Sequence, residues 1–188
     1  MTHQLALSQT RENSILKEVG LVLGGSILIG LLAPLAIPLP FTPVPLSIAS
    51  QLILGLAVLL GSKRGFAAVA LYLAQGAMGL PVFASGNSGP LYMMGPTGGY
   101  LLGFLCAAFL VGYFSERMKK PSSGALFSIL FLGSVAVLLV GALHLALFVG
   151  ADKAFMMGVV PFLPGALLKS AVACAVIEKS RTLFRRAA

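Results

Sequence analysis

Apolar side chains fill six long runs of this chain, and the polar residues are gathered into the gaps between them. The runs cover about 19–37, 46–60, 66–80, 98–114, 125–149 and 160–184. Only α-helices and closed barrels satisfy the backbone in lipid, and these runs are too long and continuous to be barrel strands. The predicted fold is therefore all-α: a single domain, 1–188, of six transmembrane helices behind a short polar segment, 1–14. The first run ends in LAPLAIPLPFTPVP, whose prolines at 34, 38, 40, 43 and 45 rule out a continuing helix. The basic turn GSKRG separates the second and third runs, SERMKKPSS the fourth and fifth, and GADKAFMMG the fifth and sixth.

Composition supports the same picture. The chain of 188 residues is 58% hydrophobic and 10% charged, with a mean hydropathy of +0.99, whereas a soluble domain carries roughly a quarter charged residues. At roughly 20 residues per span the length allows about six spans and leaves no room for a soluble catalytic domain. The apolar run starting near Val19 is too long for a signal-peptide core and lacks a cleavage site, so it is expected to stay as a helix.

The formal charge of +8 needs no nucleic-acid partner, because basic residues gather in cytoplasmic loops. Arg11, Lys17, Lys63, Arg64, Arg117, Lys119, Lys120, Lys179, Arg181, Arg185 and Arg186 all fall on one side of a six-span topology, 11 of the 13 basic residues. The opposite connections hold only Lys153, and Lys169 lies inside the sixth run. Both termini are accordingly predicted to be cytoplasmic, with the segment 81–97 facing outward.

That segment, PVFASGNSGPLYMMGPT, has no charged residue and is long for a helical connector. Its Phe83, Leu91, Tyr92, Met93 and Met94 argue against disorder, and irregular backbone near lipid is tolerated only where protein buries it or it lines a cavity. It is read as a folded lid or cavity wall. Thr97 is placed to cap the fourth helix, and Gly98 with Gly99 permits a backbone or a ligand to approach the helix start. Asn87, between glycines, suits a turn with left-handed geometry; its amide equally suits a ligand with a urea-like group. Tyr100 either points its hydroxyl into the same space or anchors at the interface.

Lys169 is the sharpest signal, since an ionisable group inside a span costs roughly 2.5–3.5 kcal/mol and marks a candidate functional site. Snorkelling from near the helix end is the competing reading. His144 is expected to be a buried, hydrogen-bonded histidine, Asp152 and Lys153 surface loop residues, and Glu178 a local ion-pair partner of Lys179 and Arg181. Gly20 with Gly24, and Ser26 with Gly30, form small-xxx-small patterns that either pack inside the bundle or dock another membrane subunit. Cys106 and Cys174, inside separate apolar runs, suggest neither a disulfide nor a metal site. No serine–histidine or paired-carboxylate constellation and no G-x-x-x-x-G-K-[ST] loop is present, so neither catalysis nor ATP binding by this chain is expected.

The blocks TPVPLSI, LGSKRGFAAVALYLAQGAMGLPVF, GPTGGYLLGF and PFLPGALLK, in this order between about 41 and 169, resemble the substrate-binding S component of biotin transporters of the energy-coupling factor type, the BioY family. The resemblance implies a six-helix protein of the bacterial cytoplasmic membrane that binds biotin on its outer side. It further implies a transmembrane coupling subunit and two cytoplasmic ATPases as partners, with biotin as cargo and no cofactor. On that footing Asn87, Tyr100, Thr97 and Lys169 are polar contacts, with Asn87 on the ureido ring and Lys169 on the carboxylate or the ureido oxygen. Phe83 and Tyr92 are apolar walls. Two positions depart from the family pattern: Ala166 stands where an acidic residue is common, and Ala49, followed by a displaced Gln51, where a glutamine is common. Alternatives that keep the fold are a facilitative carrier acting alone or as a homo-oligomer, and an S component for a different small vitamin.

Overall fold

Pro34, which has no N–H to donate and pushes Ala33 away from helical geometry, ends the first helix α1 (Thr2–Leu32) five residues before the expected boundary at 37. The computed structural model describes residues 2–118 and 121–187, with side chains described for 15–118 and 121–180. Lys119 and Lys120, and the side chains of Arg11, Arg181, Arg185 and Arg186, lie outside the described residues.

The proline-rich stretch is not all irregular. β1 (Ala36–Ile37) and β2 (Leu46–Ser47) pair antiparallel, Ala36 opposite Ser47 and Ile37 opposite Leu46. The all-α expectation is corrected to this extent, and the second helix, α2 (Ala49–Leu60), starts three residues late. Its first turn is tied by Ser47, whose Oγ accepts from Ala49 N–H at 3.0 Å.

GSKRG is not a loose turn. Gly61 alone makes the corner, and α3 (Ser62–Ala77) starts immediately after it. The reason lies far off in sequence: Glu116 accepts from both Ser62 N–H and Ser62 Oγ at 2.8 Å, capping α3 from another helix. Gly61 has φ +84, and an added Cβ would lie 2.2 Å from the Glu116 carboxylate, so only glycine fits there.

Beyond α3 the segment 81–97 contains one 3₁₀ turn (Ala84–Gly86) and a five-residue helix α4 (Pro90–Met94). α5 (Gly98–Arg117) and α6 (Ser123–Val149) follow, with Ser122 accepting from Ala125 N–H at 3.3 Å as the cap of α6. The expected turn after α6 is instead a helix, α7 (Ala151–Gly158), then a 3₁₀ turn (Val160–Phe162) and α8 (Leu163–Ala187). Pro164 sits in the first turn of α8, where no intrahelical N–H bond is lost.

α2 is the hub, packing against α1, α3, α5, α6 and α8. On α6, Gly133, Ser134, Val137, Leu138 and Gly141 are buried, while Leu132, Leu139, Leu143 and Leu147 are exposed. A helix apolar on both its packed and its open face is one that meets lipid. Among the described residues, four stretches are long and apolar enough to cross a membrane: 15–32, 98–117, 123–149 and 151–180. α2, at 12 residues, rises only about 18 Å, well short of the roughly 30 Å hydrocarbon layer.

Candidate functional site

The shortness of α2 leaves a hollow. Where its missing turns would stand, the chain from Val44 to Ser47 runs non-helically along one side of a cavity. Such backbone at membrane depth is tolerated when it lines a cavity. The cavity is open on one side, and its empty space, open solvent included, is about 750 Å³. α5 contributes Phe104, α6 Val137 and Leu138, and the turn before α8 Phe162, so the wall is mostly hydrocarbon.

Lys169 points into this space. Its Nζ donates to Ser47 O at 3.0 Å and to Ser50 Oγ at 3.2 Å, which draws the side chain inward across α2 rather than along α8 toward the surface. Ala166 lines the same wall and is 5% exposed.

An aromatic stack forms the opposite side. Phe83 is fully buried, lies stacked on Tyr92 at 5.5 Å and meets Tyr72 edge-on at 5.6 Å, both favoured arrangements. Tyr72 and Tyr92 line the cavity and Phe83 stands behind them. The stack exists because Gly76 has no side chain: a Cβ there would come within 2.0 Å of the Phe83 ring.

The outer segment is fastened at three points. Gly89 N–H donates to Gly76 O at 2.8 Å, Ser85 N–H to Pro34 O at 3.2 Å, and His144 Nε2 to Gly95 O at 3.1 Å. His144 is therefore hydrogen-bonded as expected but half-buried rather than buried, and its bond holds the segment to α6. Gly98 and Gly99 do permit a close approach, but of protein: added Cβ atoms would meet Met93 O at 1.7 Å and His144 Cβ at 2.2 Å.

Several residues sit differently from their sequence reading. Thr97 occupies the cap position of α5, but with φ −87 and ψ −11 it makes no side-chain cap bond. Gly98 N–H is satisfied by Gly95 O at 2.9 Å instead, and Thr97 lines the cavity. In the SGNSG turn Ser85, at φ 58, is left-handed along with Gly86 and Gly89, whereas Asn87 is extended at φ −70. The Asn87 amide donates to Ala84 O at 2.8 Å. Asn87 does not line this cavity but an adjoining groove that shares Pro45, Tyr92 and Thr97 with it. Tyr100 lines the cavity with its ring but commits its hydroxyl to Gly158 O at 2.9 Å. Of the small residues on α1, Ser26 is fully buried and donates to Gln75 Oε1 at 3.0 Å, and Gly30 packs on Val82. Neither can face a partner; Gly20 and Gly24 have open space beside them. Cys106 is exposed and Cys174 buried.

Sequence reading missed a polar clasp beneath the cavity. Gln51 donates to Ser170 Oγ at 3.3 Å and accepts from Ser134 Oγ at 3.2 Å, joining α2, α8 and α6. A glutamine and two serines inside apolar runs were the available signal, since buried polar groups in a bundle need partners. An ion pair between Glu18 and Arg64, from α1 to α3, also has no local sequence signature.

Similarity to known proteins bears on this geometry. The BioY family model matches residues 1–186. The biotin transporter BioY2 of Lactococcus lactis is 36% identical over 162 residues, covering 85% of this chain and 87% of that protein. The biotin transporter BioY of Thermotoga maritima is 36% identical over 147 residues, covering 78% and 86%. A crystal structure of the S-component for biotin from an ECF-type ABC transporter superposes with a TM-score of 0.81 at 30% identity, covering 90% of this chain and 93% of that one. A mostly apolar cavity under a fastened outer segment, in a chain matched along nearly its whole length, identifies this protein as a member of the BioY family.

Proposed function

We propose that this chain is the substrate-binding subunit of a biotin uptake system, holding biotin in the cavity between α2, α5, α6 and α8. The observation that carries the reading is Lys169, a lysine inside an apolar bundle that turns toward the cavity and bonds Ser47 and Ser50 there. Biotin suits such a site, having an apolar ring and chain with a polar group at each end. In this reading the carboxylate lies toward Lys169 and the ureido ring toward Asn87. Tyr92 and Thr97, shared by cavity and groove, lie along the ligand. Tyr100 shapes the wall, and Phe83 supports it from behind.

The six spans are α1, α3, α5, α6, α8 and the short α2 together with the non-helical stretch 44–47 that precedes it, set in the bacterial cytoplasmic membrane with both termini inside, as the distribution of basic residues favours. The chain performs no catalysis. Its family context implies an energy-coupling factor complex, in which a transmembrane coupling subunit and ATPase subunits supply the energy; Gly20 and Gly24 offer an open strip of α1 for the coupling subunit. The test is to purify the chain from a biotin-replete host and identify the retained small molecule by mass spectrometry. Biotin is expected; a different vitamin with no biotin would overturn the assignment.

A further inference from the structure

We infer that His144 is a positioning residue that latches α4 over the cavity: by holding Gly95 O it sets the rates at which ligand enters and leaves past Tyr92. This rests on the reading that the cavity takes a ligand, and adds the route and what controls it.

The segment 81–97 divides into a fixed half and a hinged half. Phe83 is fully buried in its aromatic stack, Ser85 N–H donates to Pro34 O and Gly89 N–H to Gly76 O, so residues 83–89 are tied to the bundle. Past Gly89 the chain changes character. α4 (Pro90–Met94) has no buried residue and no side-chain cap, and Leu91 is 86% exposed. A glycine stands at each end of it, and Gly89, at φ +87 with open space beside it, is suited to be the hinge. Among the described residues, His144 Nε2 to Gly95 O is the one hydrogen bond joining residues 90–95 to any element beyond the adjoining α5.

His144 is firmly seated for this task. Its Cβ fills the space beside Gly99, where an added Cβ would fall 2.2 Å away, and its ring leans on Phe148 at 5.4 Å. The side chain is thus a post set between α5 and α6. A carbonyl only accepts, so Nε2 carries the hydrogen of the bond.

α4 carries Tyr92, which with Pro45 and Thr97 lines both the cavity and the adjoining groove. A swing of α4 about Gly89 therefore moves the partition between the two spaces. His144 itself does not line the cavity, so its bond is the same whether the cavity is filled or empty. Such a bond cancels from the affinity and remains in both rates.

The experiment times association and dissociation of radiolabelled biotin on the purified full-length chain in detergent, dissociation by a chase with excess unlabelled biotin. His144→Leu removes the donor and is expected to speed both processes by about fivefold while changing Kd less than about twofold. His144→Gln, whose amide N–H reaches about where Nε2 stands, is expected to bring both rates back to within about twofold of the unaltered chain. Faster association is the decisive sign, because a residue that merely supports the fold would weaken binding without opening the way in. A raised Kd with unchanged or slower association overturns the inference, and so do unchanged rates in His144→Leu. Should His144→Leu fail to fold, amide hydrogen exchange on the unaltered chain decides: residues 91–95 are expected to exchange at least about tenfold faster than 83–89, and equal protection of the two halves overturns the hinge. No biotin binding by the unaltered chain would instead sink the reading of the cavity, and the latch with it.

Discussion

Lys169→Met is expected to weaken biotin binding by about 100-fold while leaving the thermal stability of the detergent-solubilised protein unchanged or raising it. The two effects separate because Lys169 serves the ligand and burdens the fold. Its neutral partners, Ser47 O and Ser50 Oγ, compensate part of the loss of hydration, but a half-buried ammonium with no carboxylate beside it among the described residues remains unfavourable. Methionine keeps the length and most of the volume, so the packing of α8 on α2 survives. Isothermal titration with biotin gives the affinity and a thermal melt gives the stability. Loss of both together would make Lys169 a structural residue, and no loss of affinity would remove it from the site.

Gly76→Ala is expected to destabilise the protein by about 1–3 kcal/mol and to lower biotin affinity by about tenfold. The new methyl group would lie 2.0–2.6 Å from three atoms of the Phe83 ring, a distance no Cβ can hold. Phe83 has no room to retreat, being fully buried between Tyr72 and Tyr92, so the stack must shift and carry the Tyr92 wall with it. Gly89 N–H, which donates to Gly76 O, would move as well. Combining Gly76→Ala with Phe83→Leu removes the ring atoms that clash and is expected to restore part of both losses relative to additive single effects. Thermal melts and titrations of the two singles and the double check this; strict additivity would show that the clash is relieved elsewhere.

Much of the helical frame is readable from hydrophobic pattern alone, since the spans expected at 98–114 and 125–149 appear as α5 (Gly98–Arg117) and α6 (Ser123–Val149). The ends set by distant partners are not. α3 starts at Ser62 because Glu116 reaches it from α5, and Lys63 and Arg64 therefore belong to a helix although their local sequence reads as a turn. The proline run announces a helix break but not the two-residue β pairing that follows, whose register depends on the fold of 38–45. At the site, the folded outer segment and Lys169 are legible because irregular backbone and a charge inside lipid both demand an explanation. Tyr72 and Gln51 are not, for a lone tyrosine or glutamine in an apolar run does not reveal which face it occupies. The SGNSG turn shows the limit of local rules: the non-glycine residue in left-handed geometry is Ser85, while Asn87 uses its amide to close the turn onto Ala84 O.

The most direct measurement is a crystal structure of the full-length chain grown with biotin. Biotin is expected inside the cavity, between Tyr92, Leu138 and Lys169, with its carboxylate within hydrogen-bond distance of Lys169 Nζ and the segment 81–97 closed above it. Biotin bound only outside the helices, or a cavity filled by its own side chains in the liganded protein, would contradict this.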